Sequence, residues 1–152
     1  MFIKNYEDNY LDEVVLMIKE CIIDINKKDY SEKQILAWSD INLNDFKQSV
    51  PKNAKVVLTN ENEIVGYGDM NDTGYLDRLF VHNKYQNQGI ATLLVKELEE
   101  NCSSLSFSTY SSITAKTFFK SQGYKVIKEN KAFLRGEVFL NYYMKKIISD
   151  LV

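Results

Sequence analysis

A chain of 152 residues with 45% hydrophobic and 26% charged side chains has an ordinary globular composition and enough length for a core, so a single domain over residues 1–152 is expected. Nineteen basic against 21 acidic residues leave a formal net charge of -2, which argues against a broad surface for nucleic acid. Two cysteines and one histidine exclude a disulfide framework and a histidine-rich metal site, and no metal is expected.

Met1-Phe2-Ile3-Lys4 runs straight into the acidic Glu7-Asp8 region without a signal-peptide pattern, and the apolar runs fall far short of a membrane span. The expectation is a cytoplasmic protein with reduced thiols and no membrane partner. Phe2 to Lys4 reads as a short strand. From Asn9 to about Ile25, Leu11, Val14, Val15, Ile18, Cys21 and Ile22 recur at helical spacing and predict an amphipathic helix. Asp24 to Lys33 is polar and turn-like. Ser31 followed by Gln34 resembles a capping box, opening a short helix that carries Ile35, Leu36 and Trp38. Asn42 to Val50 reads as a further helical piece, closed by Pro51.

Ala54–Leu58 and Ile64–Met70 are expected as strands joined by the turn Asn60-Glu61-Asn62. Tyr75–Val81 follows as a third strand, entered through Asn71-Asp72-Thr73-Gly74. Ile90–Leu98 predicts a strong helix with Ile90, Leu93, Leu94 and Leu98 on one face. Leu105–Thr109 alternates like a strand, and Ile113–Lys120 is helical and ends near Gly123. Tyr124–Ile127 and Val138–Met144 make a last pair of strands around residues 131–136. The order β-α-α-β-β-β-α-β-α-β-β has no repeat and no linker, and implies one α/β domain with a mixed sheet. Ten Tyr and eight Phe, many of them after residue 75, suit half-buried sheet faces. Part of that aromatic excess reads alternatively as a substrate pocket.

The informative stretch is the passage from Tyr75–Val81 through His82-Asn83-Lys84-Tyr85 into Gln86-Asn87-Gln88-Gly89-Ile90-Ala91. At such a helix start the first N–H groups lack intrahelical acceptors and sit at the positive end of the macrodipole, a natural seat for phosphate or pyrophosphate. Gly89 lets a ligand approach the backbone, and Ala91 keeps the next turn small. A Walker loop is excluded because no Lys follows Gly89, and a dinucleotide fingerprint because it needs three glycines. Taken alone, one Gly at a helix start also fits an ordinary strand-to-helix turn.

Gln-x-x-Gly-x-Ala directly after a strand reading Leu-x-Val resembles the acetyl-CoA signature of the GNAT superfamily, (Arg/Gln)-x-x-Gly-x-(Gly/Ala). Farther on, Ser112 to Tyr124 is similar to the family's second motif, A-x-x-F-(Y/F)-x-x-x-G-(F/Y). Arg135–Val138 with Asn141–Lys146 resembles the closing hairpin of one bacterial subgroup. The resemblance covers roughly residues 54–146, while the helical N-terminal third fits by order of elements alone. It implies the GNAT acyl-CoA N-acyltransferase fold, a mixed and mostly antiparallel sheet with splayed central parallel strands flanked by helices. It implies acetyl-CoA as cosubstrate, with the pantetheine arm against the backbone of Leu79, Phe80 and Val81. The pyrophosphate would rest on the amides of Gln88, Gly89, Ile90, Ala91 and Thr92, with Gln86 and Asn87 at the loop. Ser112, Ala115, Phe118 and Phe119 would lie by the far wall and the thiol end.

The activity implied is acetyl transfer to a primary amine of a small molecule or peptide, by direct attack in a ternary complex. The other reading is a catalytically weak CoA-binding sensor or scaffold; a homodimer is compatible with either. Transfer requires a neutral amine, whose pKa in water is near ~10.4 for a lysine type, so a base must take a proton. The oxyanion needs a donor, for which a backbone N–H suffices. Many relatives place a Glu at the start of the Leu-x-Val strand; Tyr75 stands there instead. Asp77, two residues on, alternates to the same face and is the candidate base, against the plainer reading of a surface carboxylate. Tyr75 holds a water, shapes the acceptor pocket, or simply packs. Relatives often carry a Tyr acid where this chain has Phe119, which leaves Ser112 or Tyr110 as substitutes, water, or no acid at all. Ser112 equally reads as a cap for the helix that follows. Trp38 is the candidate acceptor wall or a packing residue, and Tyr124 reads as core. His82 is a polar loop residue or a CoA contact, and Arg78 is expected on the face opposite Asp77, in a salt bridge or covering the sheet. Without a positioned His, neither Cys21 nor Cys102 is expected to act as a nucleophile.

Overall fold

The computed structural model describes residues 1–148. Its elements in chain order are β1 (Phe2–Asn5), α1 (Leu11–Asp24), α2 (Glu32–Ser39), α3 (Leu43–Ser49), β2 (Asn53–Leu58), β3 (Ile64–Met70), β4 (Tyr75–Val81), α4 (Ile90–Glu100), β5 (Ser106–Ser112), α5 (Lys116–Ser121), β6 (Lys125–Leu134) and β7 (Glu137–Ile147). Among the described residues the strands form one seven-stranded sheet in the order β1-β2-β3-β4-β5-β7-β6, antiparallel throughout except for the β4–β5 pair.

The helices follow their sequence signals. Val14, Val15, Ile18, Cys21 and Ile22 of α1 are buried, and the stripe they form seats the helix on Val56 and Tyr67 of the sheet. The capping box at α2 is complete: the Ser31 hydroxyl accepts from the Gln34 amide at 3.2 Å, and the Gln34 side-chain oxygen accepts from the Ser31 amide at 2.8 Å. Asn42 caps α3 by accepting from the Asp45 amide at 2.9 Å. One core cluster joins α1–α3 to one sheet face. On the other face, α4 and α5 close over Met70, Leu76, Phe107 and Met144 with Val95, Leu98 and Phe119.

Four boundaries differ from the sequence expectation, the simplest being β7, which runs over Glu137–Ile147 and so three residues past Met144. β5 runs on to Ser112, because Tyr110 and Ser112 pair with Tyr143 and Asn141 of β7. α5 begins only at Lys116, after a turn in which the Ser112 hydroxyl accepts the Ala115 amide at 3.1 Å. β6 continues to Leu134, so residues 131–136 are mostly hairpin, with Arg135 (φ 47) and Gly136 (φ 83) alone forming the turn. Lys128, Glu129, Asn130 and Lys131 read as loop because β6 lies at the sheet edge, where polar side chains are tolerated.

β4 and β5 run side by side for two registrations only, Tyr75 with Ser108 and Leu76 with Thr109, fixed by the Thr109 hydroxyl donating to the Leu76 carbonyl at 2.8 Å. Beyond them β4 stays with β3 and β5 stays with β7. The parting begins at a bulge: Asp69 pairs with Arg78 and Met70 with Leu76, which leaves Asp77 as an extra residue. A bulge bends its strand and sharpens the local twist.

The bulge is clamped by a buried ion pair. Asp69 has 0% exposure. It accepts from the Tyr67 hydroxyl at 2.5 Å, from Arg78 Nε at 2.7 Å and from the Arg78 amide at 3.1 Å. Arg78 also donates to the Ser49 hydroxyl at 2.9 Å and lies 4.1 Å from the Phe46 ring centre, tying β3 and β4 to α3. Burial pushes the Asp69 carboxyl up from the usual carboxylate range, while the Arg78 charge and the Tyr67 hydrogen bond pull it back. Arg78→Ala would leave that carboxyl buried without its cation, and urea unfolding should show a loss of about 3–5 kcal/mol.

Candidate active site

The gap between β4 and β5 opens into a cavity of about 1230 Å³ that reaches both faces of the sheet. From the α4–α5 side it is lined by Leu79, Val81, Ala91 and Phe118; from the α1–α3 side by Trp38, Phe80 and Phe139.

At one end stands the start of α4. Gly89 is its N-cap with φ 82, a left-handed conformation that favours glycine, and Asn87 two residues earlier has φ 61. No side chain caps this helix, and no acidic residue occupies its first turn. The first helical bond runs from the Leu93 amide to the Gly89 carbonyl at 3.0 Å, so the amides before it are left for another acceptor. A methyl group built on Gly89 would meet nothing within 4 Å, so the space beside the N-cap itself is open. Donors without acceptors, the positive dipole end and an absence of negative charge fit a pyrophosphate. Gln86, Asn87, Gly89, Ile90, Ala91 and Thr92 all line the cavity; Gln88 is exposed and does not.

The Gln86 side chain braces the loop, its Nε2 donating to the Val81 carbonyl at 2.6 Å. The same carbonyl accepts from the Cys21 thiol at 2.8 Å, which ties the end of β4 to α1. His82 is a loop residue. Its Nδ1 accepts from the Lys84 amide at 3.1 Å, and its ring stands edge-on to Tyr85 at 5.5 Å.

Along the far wall, the Ser112 hydroxyl accepts from the Ala115 amide in the turn before α5; it is not the cap expected of it, because the N-cap of α5 is Ala115 and no side chain caps that helix. Ala115 and Phe118 line the cavity. Phe119 does so too but is 3% exposed, packed between Phe118 at 5.4 Å and Tyr124 at 5.3 Å. Tyr124 is core: its hydroxyl donates to Glu99 at 2.8 Å, and the same carboxylate holds Lys146 at 2.8 Å.

Tyr75, Asp77 and Tyr110 meet where the strands part. The Tyr75 hydroxyl points to Asp77 at a long 3.4 Å, and its ring lies 6.1 Å from that of Tyr110, which leans on Tyr143 at 5.0 Å. Burial and then the Asp77 charge raise the Tyr75 phenol, which stays neutral at physiological pH. The expectation that Asp77 and Arg78 take opposite faces fails. As the supernumerary residue of the bulge, Asp77 brings its carboxylate within 4.0 Å of Arg78 Nε while remaining 56% exposed.

Trp38 both packs and lines. It sits among Tyr30 at 5.4 Å, Phe139 at 6.2 Å and Phe80 at 6.4 Å. Tyr30, which the sequence places in an unremarkable polar turn, is the residue missed. Its buried hydroxyl accepts from the Ile113 amide at 2.9 Å and donates to the Leu140 carbonyl at 3.2 Å, joining the helical third to β7 and to the turn before α5. An aromatic within a polar run, Asp29-Tyr30-Ser31, was the one available signal. Among the described residues, no group of three or more His, Cys, Asp or Glu is placed to hold a metal ion, and no helix is long and apolar enough to cross a membrane.

The family model for the acetyltransferase (GNAT) domain matches residues 26–146. The uncharacterised N-acetyltransferase YafP of Escherichia coli (strain K12) is 30% identical over 143 residues, covering 94% of this chain and 93% of YafP. A GCN5-related N-acetyltransferase from Rhodopseudomonas palustris is similar in structure with a TM-score of 0.90 at 23% identity, over 96% of this chain and 94% of that one. The PaiA N-acetyltransferase of Thermoplasma acidophilum, solved in complex with coenzyme A, matches with a TM-score of 0.74 at 15% identity, over 96% and 98% of the two chains. With the parted parallel strands and the uncapped helix start already in place, this match over most of the length makes the chain a member of the GNAT acetyltransferase family.

Proposed function

We propose that the protein transfers the acetyl group of acetyl-CoA to a primary amine of a small molecule or peptide by direct attack in a ternary complex. The observation that carries this reading is a cavity lined from both faces of the sheet through the parting of β4 and β5. Two molecules approaching from opposite faces meet inside without either blocking the other.

Acetyl-CoA supplies the activated acyl group as a thioester. The amides at the start of α4 hold its pyrophosphate, and the β4 backbone from Leu79 to Val81 holds its pantetheine arm. Trp38, Phe80 and Phe139 form the acceptor wall. Asp77 takes the proton from the incoming ammonium, directly or through water, with Tyr75 positioning that exchange. A backbone N–H on the parted stretch of β4 stabilises the oxyanion. Phe119 has no proton to give; Tyr110 or Ser112 serves the departing thiolate, or the thiolate leaves unaided.

Cys21 is not a nucleophile in this scheme. Burial pushes its thiol up to about 12, and its hydrogen goes to the Val81 carbonyl. A group that titrates there carries almost no thiolate near neutrality. The alternative of a CoA-binding sensor draws on the burial of Phe119, a position without an acid.

Two measurements bear on this. Thiol release from acetyl-CoA across polyamines, aminoglycosides, amino acids and peptides should find an acceptor, and Asp77→Asn should lower kcat with it about 100-fold while leaving the KM for acetyl-CoA unchanged. Coenzyme A binding by calorimetry without turnover on any amine supports the sensor instead. A disulfide reagent at pH 8 should modify Cys102 alone in the folded protein and both cysteines after denaturation; rapid labelling of Cys21 would reopen a covalent route.

A further inference from the structure

We infer that the edge strand β6 pairs with the β6 of a second copy of this chain, antiparallel about a two-fold axis at Asn130, so that two sheets continue into one. The two ends of the sheet are unequal. β1 closes one edge with four residues, whereas β6 presents ten at the other. A long unpaired edge is a template for another strand unless it is covered or blunted.

From Glu129 to Leu134 the side chains sort by face. Asn130 donates through Nδ2 to Asn141 Oδ1 at 2.9 Å, and Ala132 and Leu134 line the cavity. Glu129, Lys131 and Phe133 lie exposed on the other face, with Phe133 at 81%, whereas residues 125–128 before them are all exposed. Phe133 pairs with Val138 of β7, itself exposed, so the apolar surface spans both strands of the hairpin.

The pleat restricts the register. Two identical antiparallel strands related by an axis through the sheet must place residues of the same face opposite one another, so the axis passes through a residue and never between two. Centring on Lys131 sets that cation against itself and Glu129 against Phe133. Centring on Glu129 sets two carboxylates together. Centring on Asn130 sets Glu129 opposite Lys131 twice, joining opposite charges. Lys128 to Ala132, the heart of this register, lies in the part of β6 that pairs regularly with β7; the register shift between Val126 and Lys128 leaves Ile127 as an extra residue just outside it. Lys125 falls opposite Arg135, whose guanidinium is turned onto the Ala37 carbonyl at 2.8 Å.

Lysines along an edge also serve to keep a strand single. On β6 that device is incomplete, because Glu129 stands between Lys128 and Lys131 and offers the complement. Pairing of this kind would also hold the Ala132–Leu134 stretch of the cavity wall from outside.

Sedimentation equilibrium on the full chain, over a concentration series, tests the register. The wild type should show reversible dimerisation. Lys131→Glu alone turns both cross-strand pairs into carboxylate pairs and should weaken the dimer about tenfold, as should Glu129→Lys alone. The double exchange Glu129→Lys with Lys131→Glu restores opposite charges and should return the dissociation constant to within about threefold of wild type. A wild type monomeric at every concentration, a dimer indifferent to both single exchanges, or a double variant as weak as the singles would each overturn the proposal. These side chains are exposed, and circular dichroism on each variant checks that the fold is kept.

Discussion

Two adjacent parallel strands that touch at two positions and then separate set the terms for everything else in this molecule. A strand inside a sheet normally spends both edges on its neighbours. β4 gives one edge to β3 throughout, and past Leu76 its other edge turns to the cavity. Main-chain donors and acceptors do not stay away from water without partners, so this stretch suits an extended ligand with amide groups of its own. The pantetheine arm of coenzyme A is such a ligand, and the helix start beyond Gly89 stands where the strand ends.

Holding the gap at a fixed width takes rigid supports, and they come from groups outside the reacting centre. The Asp69–Arg78 pair fixes the bulge from the α3 side. Cys21 and Gln86 converge on the Val81 carbonyl and fix the strand end. Tyr30 and Ser112 fix the turn that leads into α5. Much of the polar chemistry around the cavity is therefore devoted to shape. Tyr75, Asp77 and Tyr110, at the point where the strands part, are the groups to which the proposed proton chemistry falls.

Much of this was readable in the residues, for identifiable reasons. α1 and α4 announce themselves because one stripe of each is buried, which forces an apolar repeat of helical period. The Gln86–Ala91 turn is legible because a backbone function demands particular small residues at fixed positions. The bulge is not. Nothing in Tyr75–Val81 marks one residue as surplus, since the surplus exists only in the pairing with β3. Simple alternation therefore assigned Asp77 and Arg78 to opposite faces. β6 was shortened for a related reason: an edge strand keeps its polar residues, and Lys128 to Lys131 look like loop until their partners on β7 are seen. Tyr30 escaped because its role rests on contacts with residues more than eighty positions away.

The bulge also says where this architecture is vulnerable. Side-chain substitutions can loosen the clamp on the bulge but leave the number of residues between Leu76 and Val81 untouched, and with it the extra residue. Deleting one residue there would let β4 match β3 in step and follow β5 further, zipping shut the gap that opens into the cavity. The gap between the strands thus resides in one unit of chain length, a quantity that evolution alters by insertion or deletion and that no exchange of amino-acid type can supply.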